Sequence, residues 1–236
     1  MPHYSEIVGA THNASYVMWR AGEKASPGVE SVAETGQTTT LENEISVKIN
    51  VEGLAWKLID PSGNIGPEEV KRDIQVQVTA NFSMVSLITM LAPSPDWFIG
   101  IDSLDLCDNG RWRESWNVTA SPPWDSGTED GLAFTTNNAA TNPPVNIFQI
   151  TSDMDGAFKN VGTPIKSLGH WLFKGIGLPV VPQASPSPST GMTATSGPLT
   201  TTSIPASAKP KDGSARKASI SLLVFATAAL IPALLF

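Results

Sequence analysis

Alternation of apolar and polar side chains with a period of two is the feature that most restricts how this chain can fold. Three runs show it, at 44–52, 74–79 and 112–119. Because successive side chains of a strand point to opposite faces, each run predicts a strand with one face in a core and one in water. The apolar positions are Ile45, Val47, Ile49 and Val51, then Ile74, Val76 and Val78, then Trp112, Trp116 and Val118.

Turns that contain Pro and Gly separate these runs, and this spacing favours an all-β fold, an antiparallel β-sandwich. One short helix is predicted near residues 27–35. Ser26 is a favoured N-cap residue, Pro27 suits the first helical position, and Gly36 is a typical stop signal.

Composition divides the 236 residues into three regions. Residues 1–177 mix apolar and polar side chains as a globular domain does, and they contain all seven Trp residues. Residues 178–215 are rich in Pro, Ser, Thr and Ala. Such a stretch cannot bury enough apolar surface to offset the entropy of ordering, so it predicts a disordered stalk, either plain or O-glycosylated. Residues 216–236 form an apolar C-terminal tail.

The tail indicates the compartment. Residues 219–236 carry no charge, and small residues followed by Arg216 and Lys217 precede them. This order is typical of a glycosylphosphatidylinositol (GPI) attachment signal, whereas about 18 apolar residues can also just span a bilayer as a retained anchor. Both alternatives place the domain on the extracellular face of the cell membrane, and without the tail it would be secreted. Because such a chain must be exported, we expect a signal peptide upstream of Met1.

Charge and histidine context argue against two classes of function. The formal net charge is −7 and Lys and Arg form no cluster, whereas nucleic-acid binding requires a basic footprint. None of His3, His12 and His170 lies in a recognisable nucleophile context, and no Gly-x-Ser-x-Gly turn occurs. We therefore expect no nucleic-acid partner and no enzymatic activity, and we interpret His12 as a structural hydrogen-bonding residue.

The sequence also limits covalent modification. Cys107 is the only cysteine, so no intramolecular disulfide can form, and we predict a small buried apolar side chain there. Asn-x-Ser/Thr sequons occur at Asn13, Asn81 and Asn117. The last two continue the polar faces of predicted strands, where a glycan can be accommodated. The chain is therefore predicted to be a glycoprotein.

Two acidic, turn-rich loops are the densest functional signal. One loop, 90–97, carries Asp96, and the other carries Asp125 and then Glu129 and Asp130. At one end of a sandwich these carboxylates would suit a hard cation such as calcium, which accepts several oxygens in loose geometry. No His or Cys pair has the spacing of a zinc site. The alternative is that Asp and Ser next to Pro or Gly merely shape the turns.

These loops, with PSPDW at 93–97 and WDSGT at 124–128, belong to a pattern that runs from about residue 3 to 150. Its other segments include 7–13, 33–36, 41–45 and 104–107. The pattern resembles the spondin domain of F-spondin and mindin. The resemblance implies a β-sandwich similar to calcium-dependent membrane-targeting domains, found in secreted matrix and adhesion proteins. It also implies a bound calcium ion, with Asp96, Asp125 and Glu129 at the metal-binding positions.

The chain departs from the family pattern at two points. Glu129 stands where the family usually has Asp, and its longer arm moves the carboxylate oxygens, so Asp130 is an alternative third ligand. The family often has a second Cys shortly after the position of Cys107, and none follows here. Asn109 and Gly110 are instead a strong tight-turn signal, which predicts a hairpin closed without a disulfide.

The predicted function is that of a membrane-tethered adhesion or recognition module with a calcium-stabilised loop end. Its partner would be a cell-surface receptor, a matrix component or a glycan. Two alternatives stay open: a calcium-dependent binder of lipid headgroups, with Trp97 and Trp124 at the membrane, and a metal-assisted hydrolase at the acidic loops. The competing interpretation of both Trp residues is that they pack inside the sandwich.

Overall fold

The computed structural model describes residues 3–65, 72–118, 121–161, 165, 168–176 and 217–225. Its helices are α1 Pro27–Thr35 and α2 Thr39–Asn50. Its strands are β1 His3–Tyr4, β2 Val8–His12, β3 Ala55–Ile59, β4 Arg72–Thr79, β5 Met84–Ala92, β6 Trp97–Asp105, β7 Cys107–Asp108, β8 Arg111–Trp112, β9 Ser115–Val118, β10 Trp124–Asp125, β11 Glu129–Asp130, β12 Ala139–Ala140, β13 Phe148–Gln149, β14 His170–Ile176 and β15 Lys217–Phe225.

The larger sheet holds the functional loops. Its strand order is β13-β10-β6-β5-β2-β3, and β1 also pairs with β5. Strand β5 is buried along nearly its whole length because both faces of the sheet are covered, which explains its continuous apolar run. Strand β10 pairs antiparallel with β6, so that Asp125 lies opposite Trp97 and Trp124 opposite Phe98.

The second sheet has the strand order β4-β15-β14-β9. Strand β15 lies in its interior, antiparallel to both neighbours: Lys217 is opposite Thr79 of β4, and Phe225 is opposite His170 of β14. The sheet therefore joins four segments that lie far apart in the sequence.

Two apolar clusters show how the layers stack. One fills the space between the two sheets and includes Leu87, Ile99 and Trp171. The other lies on the opposite face of the larger sheet, where the helices cover it, and includes Ile88, Phe98 and Ile45. Neighbouring residues of β5 thus point into different clusters, as alternation along a strand requires. The molecule is a β-sandwich with a helical hairpin on one outer face.

Several local predictions are confirmed. Strand β4 buries Ile74, Val76 and Val78. The single strand predicted at 112–119 is a correction instead: its described residues, 112–118, belong to two short strands, β8 and β9. Residues Asn109 and Gly110 have φ values of 50° and 77° and join β7 to β8, as the tight-turn signal predicts.

The predicted strand at 44–52 is wrong, because these residues belong to helix α2. The prediction of only one helix is therefore also wrong, because α2 is a second helix. The apolar positions that matter lie four residues apart: Leu41 and Ile45 are buried, and Ile49 packs on the same cluster. Val47 and Val51, which completed the alternating pattern, are 47% and 79% exposed. A helical period of 3.6 residues explains the burial, and the period-two match was a coincidence of four β-branched residues.

Helix α1 has the predicted bounds and is capped from two sides. The Ser26 side chain accepts from the Val29 N–H at 3.2 Å, and Gly36 ends the helix with φ 72°. In addition, the Glu44 carboxylate of α2 accepts from the Gly28 N–H and from the Ser26 hydroxyl, both at 2.7 Å. A side chain of α2 therefore satisfies the first turn of α1 and fixes the two helices relative to each other.

The predicted regions beyond residue 177 are covered only in part. The stalk at 178–215 lies outside the described residues, whereas Lys217–Phe225 of the predicted tail forms strand β15. Within the part of the chain that the structure describes, no helix is both long enough and apolar enough to cross a membrane. The three domain boundaries stay predictions.

Candidate metal centre

The two acidic loops meet at one end of the larger sheet. Asp96 immediately precedes β6, and Asp125 is the last residue of β10. Because β6 and β10 pair, the two loops lie side by side, and the Ser126 N–H donates to the Asp96 carbonyl at 3.1 Å. The sheet register thus brings together the two Asp residues that the sequence singled out.

Asp96 is the centre of this cluster, and its side chain is fully buried (0% exposed). Its Oδ2 accepts from the Thr128 N–H at 2.8 Å, the Ser126 hydroxyl at 3.0 Å and the Glu129 N–H at 3.1 Å. Its Oδ1 is also buried but accepts no hydrogen bond. A buried carboxylate oxygen without a donor is costly, so Oδ1 is a position where a cation would supply the missing partner.

Asp125 lies beside Asp96 and is itself buried (8% exposed). Its Oδ1 accepts from the Gly127 N–H at 2.8 Å. Burial first, and the charge of Asp96 second, raise the pKa of Asp125 to about 7. Gly127 makes this tight turn possible, because its φ is 77° and a Cβ would lie 2.6 Å from the Val145 carbonyl oxygen.

The two candidates for the third ligand, Glu129 and Asp130, lie in different surroundings. Glu129 is half-buried, and its pKa is raised by burial, then by the charge of Glu34, and also by that of Asp96. Asp130 is exposed, and its Oδ1 accepts from the Thr141 hydroxyl at 2.6 Å. Of the two, Glu129 is the residue whose pKa is raised by the negative charge of Asp96.

Glu34 is a residue of this region that sequence reasoning did not select. It lies in the last turn of α1 and is half-buried. Burial raises its pKa, and the charges of Glu30 and Asp96 raise it further. A local signal was available: a carboxylate at the negative end of a helix is unfavourable, and the last turn of α1 contains no basic residue to compensate.

The oxygen atoms of this cluster are of the kinds that bind a hard cation. Carboxylate, hydroxyl and main-chain oxygens dominate the cluster, and calcium takes six to eight such ligands in flexible geometry. Among the described residues, no three His, Cys, Asp or Glu side chains converge closely enough to hold a metal ion by themselves. Loop carbonyl oxygens and water would therefore have to complete the coordination of an ion held by Asp96, Asp125 and Glu129.

The two Trp residues next to the acidic loops are buried to different degrees. Trp97 is 3% exposed, with ring centroids 5.2 Å from Phe134 and 5.3 Å from Phe158. Trp124 is half-buried and stacks edge-on against Trp19 at 5.5 Å. The Trp97 ring therefore packs inside the protein, as the packing interpretation predicts, whereas Trp124 does so only in part.

His12 pairs with a serine, but the pair is sealed inside the protein. Its Nε2 lies 2.8 Å from the Ser86 hydroxyl and its Nδ1 lies 2.8 Å from the Asn13 carbonyl oxygen. His12 and Ser86 are both fully buried, so no substrate can reach the hydroxyl. Burial lowers the pKa of His12, and its hydrogen bonds make it structural, as predicted.

The remaining predicted sites have varied surroundings. Asn81 and Asn117 are exposed, whereas Asn13 is half-buried and its side-chain oxygen accepts from the Ser15 N–H at 2.9 Å. Cys107 is a free thiol that is half-buried, so the predicted burial is found only in part. Burial, followed by the charge of Asp105, raises the pKa of the Cys107 thiol, which lowers its reactivity.

Comparison with known proteins agrees with this architecture. The family model described as Spondin_N matches residues 1–161. Spondin-2 from Homo sapiens is 36% identical over 150 residues, which cover 63% of this chain and 44% of that protein. Spondin-1 from Gallus gallus is 31% identical over 159 residues, which cover 64% and 19%. The chain thus spans less than half the length of these curated relatives, and it belongs to the Spondin_N family.

Proposed function

We propose that the chain is an extracellular adhesion or recognition module whose loop end is stabilised by a calcium ion. One observation carries the calcium part: the fully buried Asp96 carboxylate has one oxygen with several donors and another with none. Family membership supports the extracellular setting. The partner would be a cell-surface receptor, a matrix component or a glycan.

In this proposal the ion joins loops that start from different strands. Asp96 precedes β6, Asp125 ends β10, and Glu129 begins β11. Bound calcium would offset the repulsion among these carboxylates and order the surface that they share. A rigid loop end loses less conformational entropy when a partner binds, and this favours affinity.

The test is calcium titration of the full 236-residue chain by calorimetry, with Asp96→Asn and Asp125→Asn as variants. We expect saturable binding by the parent chain, a calcium-dependent rise in its Tm, and loss of both in the two variants. The matched control is Asp108→Asn, because Asp108 is an exposed carboxylate of the β7-β8 hairpin and is not a candidate ligand. No binding by a folded parent chain would refute the calcium proposal.

The second part of the proposal is attachment to the extracellular face of the membrane through residues 216–236, as a GPI signal or a retained anchor. The uncharged apolar composition supports it. Strand β15 uses part of the same segment, Lys217–Phe225, and pairs on both sides within the protein. Those residues cannot be in the sheet and in a bilayer at the same time, so the two uses exclude each other in one molecule.

A chain truncated after residue 215 distinguishes the two uses. If the tail only anchors, the truncated chain should be secreted with the thermal stability of the full chain. If β15 completes the sheet, truncation should lower the Tm and expose apolar surface. In parallel, phospholipase C treatment of cells that display the full chain would release it only if a GPI anchor is present.

A further inference from the structure

We infer that the space between strands β4 and β14 is a slot for one extended segment, and that it binds a strand of a partner protein when this chain's own segment has left it. In the structure the slot is filled by β15, Lys217–Phe225. The inference is independent of the calcium proposal. It rests on the proposed membrane attachment only for the condition that empties the slot, because residues 217–225 are then in the bilayer or removed with the GPI signal.

The pairing pattern shows that the slot is one strand wide. Strand β15 is antiparallel to β4 through residues 217–224 and antiparallel to β14 through residues 219–225. Neighbouring strands of a sheet lie about 4.8 Å apart, so β4 and β14 are about 10 Å from each other and run in the same direction. Without an occupant, β4 and β14 would present facing edges of eight and seven residues to the slot.

The packing of the flanking strands opposes closure of an empty slot. Val76 and Val78 of β4 are buried in the cluster between the two sheets, and so are Trp171 and Phe173 of β14. Moving either strand sideways by the width of one strand would take these side chains out of their packed positions. A direct pair of β4 and β14 would also be parallel, and parallel pairing is slightly less stable per residue than antiparallel pairing.

Strand β15 is joined to the slot only through a long connection. Strand β14 ends at Ile176 and β15 begins at Lys217, so the two paired strands are not joined by a tight hairpin. A segment tethered in this way acts as an intramolecular ligand, with an effective concentration on the order of millimolar or below. Withdrawal of residues 217–225 removes this competitor, and a partner strand can then bind at ordinary concentrations.

The register of β15 defines the chemistry of the occupant. Ile220 is opposite Val76, a buried residue of β4. The next residue, Ser221, is opposite Gln75, which is exposed. A partner segment should therefore alternate apolar and small polar residues over about seven positions. It should also lack proline, because a strand with a neighbour on each side uses its main-chain N–H groups in the ladders.

The experiment uses the full chain with Ser221→Pro, which places a proline at the centre of β15. Because proline is excluded from interior strands, the variant should release β15 while the tail stays uncharged. The matched control is Thr227→Pro, which adds a proline to the same tail beyond the end of β15. We expect Ser221→Pro to lower the Tm by at least about 5 °C and the control to lower it by less than about 2 °C.

The probe for the emptied slot is a synthetic peptide of residues 217–225. Added to the Ser221→Pro chain, the peptide should bind saturably and raise the Tm toward that of the parent chain. Main-chain hydrogen exchange at 72–79 and 170–176 should be faster in the variant and slow down again when the peptide binds. A peptide that carries the same Ser221→Pro change should bind at least about tenfold more weakly.

A second measurement does not depend on how well the proline variant folds. The parent chain is cleaved within residues 178–215 at an inserted protease site, after the protein has folded. Strand β15 should then stay in the sheet without a covalent link, and an excess of fluorescent 217–225 peptide should replace it over time. Exchange of the two strands would show directly that the slot accepts a segment from outside the chain.

Three results would overturn the inference. Equal Tm values for Ser221→Pro and Thr227→Pro would show that β15 does not complete the sheet. Failure of the peptide to bind either the variant or the cleaved chain would show that the slot takes no second strand. A dimer of the parent chain that Ser221→Pro separates would assign the slot to a second copy instead of a partner protein. None of these readouts needs a membrane, so their failure is distinct from failure of the anchor, which phospholipase C tests.

Discussion

The main-chain N–H of Thr128 donates to Oδ2 of Asp96 at 2.8 Å, although 32 residues separate the two in the sequence. This bond ties the second acidic loop to the carboxylate of the first. Together with the donors from Ser126 and Glu129, it saturates one oxygen of Asp96 and leaves the other for a different partner. These hydrogen bonds hold the two acidic loops together.

Substituting Asp96 by Ala should destabilise the calcium-free protein. The change removes the acceptor of several buried hydrogen bonds. The main-chain N–H groups of Thr128 and Glu129 then lose the carboxylate oxygen to which they donate. We expect a loss of about 2–4 kcal/mol in the free energy of unfolding. Urea denaturation measures it, and the exposed Asp130→Ala should change the value by less than about 0.5 kcal/mol. Equal effects of the two changes would contradict the assigned role of Asp96.

The calcium-free protein should lose stability as the pH rises from about 4 to 7. The pKa of Asp125 is raised to about 7 in the folded protein, from an ordinary value of 3.8. Between these values the folded state holds a proton that the unfolded state has released, so the free energy of unfolding falls with increasing pH.

The measurement is Tm against pH in the presence of a chelator, for the parent chain and for Asp125→Asn. The variant cannot ionise at this position, so its curve should be flatter over the same range. His12 acts in the opposite direction, because its pKa is lowered by burial and protonation in the unfolded state favours unfolding below about pH 6.5. An unchanged slope in Asp125→Asn would show that Asp125 does not control this range.

Replacing Glu44 by Ala should loosen helix α1. The carboxylate accepts from the Gly28 N–H and the Ser26 hydroxyl at 2.7 Å, so the change leaves the first turn of α1 with an unsatisfied donor. We expect a cost of about 1–2 kcal/mol, measured by urea denaturation. Glu42→Ala on the same helix is the control and should cost clearly less.

Glycans should be attached at Asn81 and Asn117 when the chain is expressed through a secretory pathway. Both side chains are exposed, whereas Asn13 is half-buried and its oxygen is engaged by the Ser15 N–H. Mass spectrometry before and after removal of N-glycans would count the occupied sites. Single Asn→Gln changes at 81 and 117 should each remove one glycan without lowering the Tm by more than a few degrees. An unmodified exported chain would contradict this prediction.

The elements that the sequence predicted well are those with local physical causes. Helix α1 has its cap, its proline and its terminal glycine within ten positions of each other, and the Asn109-Gly110 turn needs only two residues. Asp96, Asp125 and Glu129 were selected by resemblance, and the pairing of β6 with β10 brings the first two together. Whether they bind calcium stays a prediction.

What the sequence did not indicate depends on contacts between distant segments. Helix α2 was predicted as a strand because Val47 and Val51 look like core residues, and only the packing of Leu41 and Ile45 against the sheet shows that they are not. The charge of Asp96 raises the pKa of Glu34 because helix α1 docks on the larger sheet, a contact that no spacing in the chain encodes. The pairing of Lys217–Phe225 with β4 and β14 was not predicted either. The apolar composition of this segment suggests a tail, and composition does not indicate which strands a segment can pair with.

The interior position of β15 has a consequence for biosynthesis. Strand β4 ends at Thr79, and its pairing partner in the smaller sheet begins only at Lys217. At a translation rate of about 5–20 residues per second, β4 waits on the order of ten seconds for that partner to be made. During this interval its main-chain N–H and C=O groups offer an open edge to any other extended chain. The larger sheet can form first, whereas β4 keeps an open edge until residues 217–225 have been translated.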